Sequence, residues 1–86
     1  MTALMQAVKK NDVAQMKKLI QQGVNVSELD ANQDAPLVMA AYEGHTEIVK
    51  ALLETGSIDL KDRLTAIKLA LSEGHTDVVK ILQDQR

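Results

Sequence analysis

Two short segments carry most of the side chains that could do chemistry: Gly44-His45-Thr46-Glu47 and Gly74-His75-Thr76-Asp77, with Glu43 and Glu73 directly ahead of them. Imidazoles grouped with carboxylates are a zinc donor set, so metal binding is the first chemistry to weigh. The segments recur 30 residues apart, as equivalent parts of stacked units would, and stacked helical units stand about 8–10 Å from each other. Two nitrogens on one zinc, each about 2.0 Å from it, must lie within roughly 4 Å of each other. The spacing therefore predicts no metal site, and His45 and His75 are read as structural residues between helices. Thr46 and Thr76 are read as helix caps, not nucleophiles. Ser27, Ser57 and Ser72 have no His–Asp arrangement beside them, there is no Gly-rich phosphate loop, and no carboxylate pair sits in plainly apolar surroundings. No enzyme activity and no cofactor are expected.

That leaves binding. Tyr42 is the sole aromatic residue, with no Phe and no Trp in the chain, and tyrosine is among the residue types that most often anchor an interface. Ten Lys and Arg against twelve Asp and Glu give a net charge of −2 with the signs interspersed, which disfavours nucleic acid as a partner. No apolar run approaches the roughly 18 residues of a membrane span, and the N-terminus does not read as a signal peptide. A cytoplasmic protein with no membrane partner is the expectation. With no Cys in 86 residues, neither a disulfide nor a thiolate metal site can staple the fold, so packing must hold one small domain together.

Internal repetition organises the chain. The stretch from Ala40 to Leu52 matches the stretch from Ala70 to Leu82 at an offset of 30, and Leu4, Ala7, Asn11, Met16, Leu19, Ile20 and Gly23 fall on Leu37, Ala40, Gly44, Val49, Leu52, Leu53 and Gly56 at an offset of 33. Three copies result, about 2–34, 35–64 and 65–86, in a single domain spanning 1–86. Each copy reads as two short helices. Pro36 suits a first helical position and Gly44 a helix stop, while Ile48, Val49, Leu52 and Leu53 make an apolar stripe that ends at Gly56. In the first copy Asn11-Asp12 replaces Gly-His, with Asp12 as a cap. Helices this short must bury their stripes on neighbouring copies, which makes a solenoid, and Leu37, Leu52 and Leu53 are expected to share a core with Leu19 and Leu69. A tetratricopeptide-like array or an irregular helical bundle is the other architecture to consider; the bulky aromatic positions of the former have no counterpart here.

The segments from Gly44 to Gly56 and from Gly74 to Leu82 resemble the second-helix signature of the ankyrin repeat, and Ala35-Pro36-Leu37-Val38-Met39-Ala40-Ala41 and Thr65-Ala66-Ile67-Lys68-Leu69-Ala70-Leu71 resemble weakened forms of its Thr-Pro-Leu-His-x-Ala-Ala opening. The resemblance implies an all-α fold, an ankyrin-type solenoid of three stacked helix-turn-helix repeats with short β-turn fingers. It also implies a protein-interaction module with a concave face formed by Lys9 and Lys10 in copy one, Tyr42 and Glu43 in copy two, and Ser72 and Glu73 in copy three. The fingers would add Ala31, Asn32, Asp34 and Arg63. The partner expected is another protein; an engineered or structural scaffold with no natural ligand is the alternative.

Two departures from the family's pattern carry expectations of their own. The opening's His is Val38 and Lys68 here, so the bonds it makes between fingers should be missing. Three residues are also absent from the second connection: 13 positions separate Gly23 from Pro36, but only 10 separate Gly56 from Ala66. The first connection is expected to make a full hairpin tip over residues 30–33 with Asn32 at positive φ, and residues 56–64 to make a tight irregular turn. Copy three has no following repeat and ends in the polar tail Gln83-Asp84-Gln85-Arg86, so a homodimer through the C-terminal repeat is expected. It would form edge to edge through Ile67, Leu71, Val78 and Ile81, or by exchange of the third helix pair, with monomer as the alternative.

Overall fold

An isolated helix of eight or nine residues is unstable in water, and the chain answers by pairing every such helix and stacking the pairs. The computed structural model describes residues 3–84; Thr2 of the expected first repeat and Gln85 and Arg86 of the polar tail lie outside them. Six helices follow in order: α1 (Ala3–Lys10), α2 (Val13–Gln21), α3 (Pro36–Glu43), α4 (Thr46–Glu54), α5 (Leu60–Ser72) and α6 (Thr76–Gln83), with no strand among the described residues. They pair as α1 with α2, α3 with α4 and α5 with α6. The first helices then form one layer, α1 on α3 on α5, and the second helices another, α2 on α4 on α6.

The core is aliphatic. Leu4, Val8, Met16, Leu37, Ile48, Val49, Leu52, Val78 and Leu82 are buried with Ala7, Ala40, Ala41, Ala66 and Ala70. The alanines are the reason the first helices can stack closely, because they put almost no side chain between one backbone and the next. Leu19, Leu37, Leu52 and Leu53 share this core as expected, but Leu69 does not belong to it. Leu69 is half-buried and is the repeat equivalent of Met39, likewise half-buried, so this register of the first helix turns away from the core.

Each first helix ends in the same way. Asp12, His45 and His75 donate their backbone N–H to Ala7, Ala40 and Ala70, at 2.9, 2.9 and 2.8 Å. Asn11, Gly44 and Gly74 donate to Val8, Ala41 and Leu71. This pair of bonds is the Schellman motif, which needs a left-handed residue just past the helix; Asn11, Gly44 and Gly74 supply it with φ of 55°, 74° and 76°. Asp12 then caps α2 through Oδ1, which accepts from Gln15 N at 3.1 Å. The threonines do not cap. The N-cap residues of α4 and α6 are His45 and His75, neither with a side-chain bond, and Thr46 and Thr76 are already helical. The Schellman turn leads straight into the second helix one residue earlier than the Thr reading required, and the Thr46 hydroxyl reaches back 3.5 Å to Gly44 O.

Both connections differ from expectation. In the first, Gln33, not Asn32, has positive φ, at 66°. Asp30 O accepts from Gln33 N and Asp30 N donates to Asp34 O, both at 2.9 Å, while Asp30 Oδ1 takes the N–H groups of Asn32 and Asp34. Residues 30–33 thus form a right-handed turn whose left-handed position falls after the two central residues, so Asn32 is on the wrong side of it. In the second, residues 56–64 are not a tight irregular turn. Asp59 Oδ1 accepts from Asp62 N at 2.8 Å, an N-cap that starts α5 at Leu60 and makes it, at 13 residues, the longest helix described. Arg63 is therefore a helix residue and contributes to no finger. At the C-terminal edge Val78 is only 1% exposed, because it packs into the core, and it cannot serve an edge contact.

Leu52→Ala should cost about 2–5 kcal/mol, read as a lower denaturant midpoint; an unchanged midpoint would contradict the packing described. Asp62 gives a pH effect of known sign. Burial first, then the neighbouring Asp59, raise its carboxyl above the usual 3.8 against a smaller opposing pull from Lys61. A folded-state value above the unfolded one means that stability declines as pH rises from about 3.8 through the raised value. Asp62→Asn should flatten that part of the stability profile.

Candidate binding surface

Tyr42 lies in the last turn of α3 and is 46% exposed. Its ring is free to meet a partner while its backbone is held from the next repeat. A carbonyl oxygen can only accept, so His75 Nε2 carries the proton and donates to Tyr42 O at 3.0 Å. The same imidazole covers Gly44, where an added Cβ would lie 2.7 Å from His75 Nδ1. Gly44 is thus required twice, for its positive φ and for the space above it. His75 is a structural histidine as expected, joining copies two and three. His45 differs: its Nε2 lies 3.4 Å from Glu43 Oε2 without forming a hydrogen bond.

Beside Tyr42 is an open depression of about 380 Å³ lined by Asn32, Asp34, Met39, Tyr42 and Leu69. Asn32 and Asp34 come from the turn that the Asp30 carboxylate organises, Met39 and Tyr42 from successive turns of α3, and Leu69 from α5. Three of the residues singled out in the sequence, Asn32, Asp34 and Tyr42, are therefore brought together. Met39 and Leu69 were missed, although the signal was present: Met39 is one helical turn before Tyr42, and Leu69 is its equivalent at the 30-residue offset. Glu43, Ser72 and Glu73 are exposed at the ends of α3 and α5, and Lys9 and Lys10 at the end of α1, in one row because the three helices stack. Arg63 is separate, half-buried in α5 with Nε lacking a hydrogen-bond partner. Among the described residues no three His, Cys, Asp or Glu side chains converge as a metal site.

The ankyrin repeat model, in three copies, matches residues 4–86. The chain belongs to the ankyrin repeat family. Its fold is similar to the ankyrin repeat domain of human ASB11, with a TM-score of 0.83 and 30% identity, covering 98% of this chain and 39% of that one. In sequence it is similar to the ankyrin repeat-containing protein YIL001W of Saccharomyces cerevisiae, 38% identical over 52 residues, which is 60% of this chain and 10% of the yeast protein. Ankyrin repeats as a family are protein-interaction modules, and the present ankyrin stack spans only a minor part of the length of either relative.

Gly44→Ala and Gly74→Ala isolate the His75 contact. Both residues are left-handed, so each substitution should cost about 1–2 kcal/mol, but a Cβ at Gly74 meets open space. Gly44→Ala should cost a further 0.5–1.5 kcal/mol or so, the worth of the displaced hydrogen bond, and the excess should vanish in a His75→Ala background. Equal costs in the wild-type background would show that the imidazole does not hold this joint.

Proposed function

We propose that this ankyrin stack binds a partner protein across the row of first-helix ends, with Tyr42 as the anchor. The observation that carries the reading is the mounting of Tyr42: the one aromatic ring is exposed beside an apolar floor of Met39 and Leu69, on a backbone fixed by His75. Rigid placement matters because a preformed contact avoids the ordering cost that binding would otherwise carry. A comparable depression of about 350 Å³ between α2 and α4, lined by Lys17, Ile20, Gln21, Ala51, Glu54 and Thr55, contains no aromatic side chain.

Charge narrows the partner further. Asp34 lines the depression, Glu43 and Glu73 stand at the ends of α3 and α5, and Lys9 and Lys10 lie at the α1 end of the row. The fitting ligand is a segment with an apolar side chain for the depression, a basic group for the Asp34 and Glu43 side, and an acidic group for the α1 end.

A photo-crosslinking amino acid at position 42 should capture a defined protein from a lysate of the source organism, and the same group at Gln21 on the second-helix layer should not. Tyr42→Ala should weaken binding of that protein by about 2 kcal/mol or more, roughly 30-fold in Kd, with the melting temperature unchanged. Identical capture at both positions, or none at either, would favour a scaffold without a ligand.

A further inference from the structure

The depression beside Tyr42 has one charged group in its lining. That group is the Asp34 carboxylate; the other lining residues are Asn32, Met39, Tyr42 and Leu69. Asp34 is half-buried, and its carboxylate accepts no hydrogen bond and forms no ion pair among the described residues. Only its backbone is engaged, donating to Asp30 Oδ1 and accepting from Asp30 N. A partly buried carboxylate with every acceptor site open lacks the donors that would offset its lost hydration.

The surroundings do not supply a cation. Lys9 and Lys10 complement the C-terminal end of α1, whereas the last turns of α3 and α5 hold no basic residue and Glu43 and Glu73 stand exposed at their ends. Helix C-termini are themselves negative, so the two helix ends beside the depression attract a positive group. The α1 lysines lie across α3 from it, because the first helices stack in the order α1, α3, α5. Asp34 also borders the neighbouring depression, where Lys61 stands with Asp59 and Asp62. The two linings together hold three carboxylates and one ammonium.

We infer, resting on the reading of Tyr42 as the anchor, that this depression takes an arginine side chain of the partner protein. One arginine meets the apolar and the basic demand at once. Its aliphatic stem lies on Met39 and Leu69, its planar guanidinium stacks on the Tyr42 ring, and its N–H fork donates to both oxygens of Asp34. Asn32 adds a side-chain carbonyl that accepts a further N–H. A lysine brings the same charge but no fork and a more strongly hydrated head. A leucine covers the floor and leaves Asp34 more deeply buried with no donor.

Capped pentapeptides Gly-Gly-X-Gly-Gly, with X arginine, its neutral isostere citrulline, lysine or leucine, test this when titrated into the full chain and followed by amide and methyl chemical shifts. The arginine peptide should bind in the millimolar range, with shifts centred on Asn32, Asp34, Met39, Tyr42 and Leu69. It should bind about tenfold more tightly than the citrulline peptide and severalfold more tightly than the lysine peptide. Asp34→Asn, at a side chain that makes no bond in the fold, should bring arginine down to the citrulline level and leave leucine as it was; Tyr42→Ala should weaken arginine and citrulline alike. Tighter binding of the leucine peptide at the same residues would overturn the inference while leaving Tyr42 an anchor for an apolar group. Equal binding of arginine and lysine with shifts spread over Glu43 and Glu73 would reduce the effect to diffuse attraction and overturn it. So would arginine binding that Asp34→Asn leaves intact, or no shift at the depression with any of the peptides. Crosslinking of a partner at position 42 is read separately, so the arginine can fail while the anchor stands.

Discussion

Five of the six helices have nine residues or fewer, and at that length a helix exists only where a neighbour covers it. This constraint governs the rest of the molecule. Each pair needs its partner helix, and each repeat needs the next, so stability is carried by faces between repeats and by no central hub. It explains the composition as well. A chain with almost no aromatic residues builds its core from Leu, Ile, Val, Met and Ala, and the alanines at positions 40, 41, 66 and 70 give α3 and α5 the close approach that short helices need to bury enough surface.

The joint that makes pairing possible is a backbone device. The same two bonds end all three first helices, and only the left-handed residue changes, Asn11 in the first repeat and glycine in the others. In the second repeat this device has acquired a further role, because the open space over Gly44 is filled by His75 from the third. The histidine that follows one turn thereby locks the turn before it and fixes the tyrosine carbonyl at the same time. Where Asn11 stands in place of glycine, the preceding joint carries no such bond, and His45 turns to Glu43. Repeats two and three are therefore coupled by a directional contact that repeats one and two lack, and Tyr42 is mounted at the coupled joint.

Much of this was legible in the sequence. The offsets of 30 and 33 located the three copies, the helix pairs and nearly the whole core, because burial at repeating positions leaves a repeating apolar pattern. What escaped was local geometry that pattern does not encode. Asn32 was the residue type suited to positive φ, but the turn register, set by the Asp30 carboxylate, put that conformation on Gln33. Thr46 and Thr76 were the favoured capping types, yet the Schellman turn had already committed the preceding histidines as caps. For the candidate site, the finger and Tyr42 were visible as types and positions; that they enclose a depression with Met39 and Leu69 depended on how far α5 stands from α3, which no single repeat specifies.

The largest departure of the structure from the repeat pattern concerns three missing residues. Gly23 is followed seven residues later by Asp30, the organiser of the first finger, whereas Gly56 is followed four residues later by Leu60. Shortening a loop would ordinarily tighten it. Here Asp59 instead caps a helix through the N–H of Asp62, and the stretch that makes a finger in copy two becomes the first turns of α5 in copy three. At the 30-residue offset Leu60 and Leu64 stand where copy two has Asp30 and Asp34, so the polar residues of a finger are replaced by apolar residues on a helix. One deletion thus removes the third repeat's finger from the concave side and, by lengthening α5, adds Leu60 and Leu64, 67% and 56% exposed, to its outer face. The two surfaces of the C-terminal repeat have a common origin in the length of one loop.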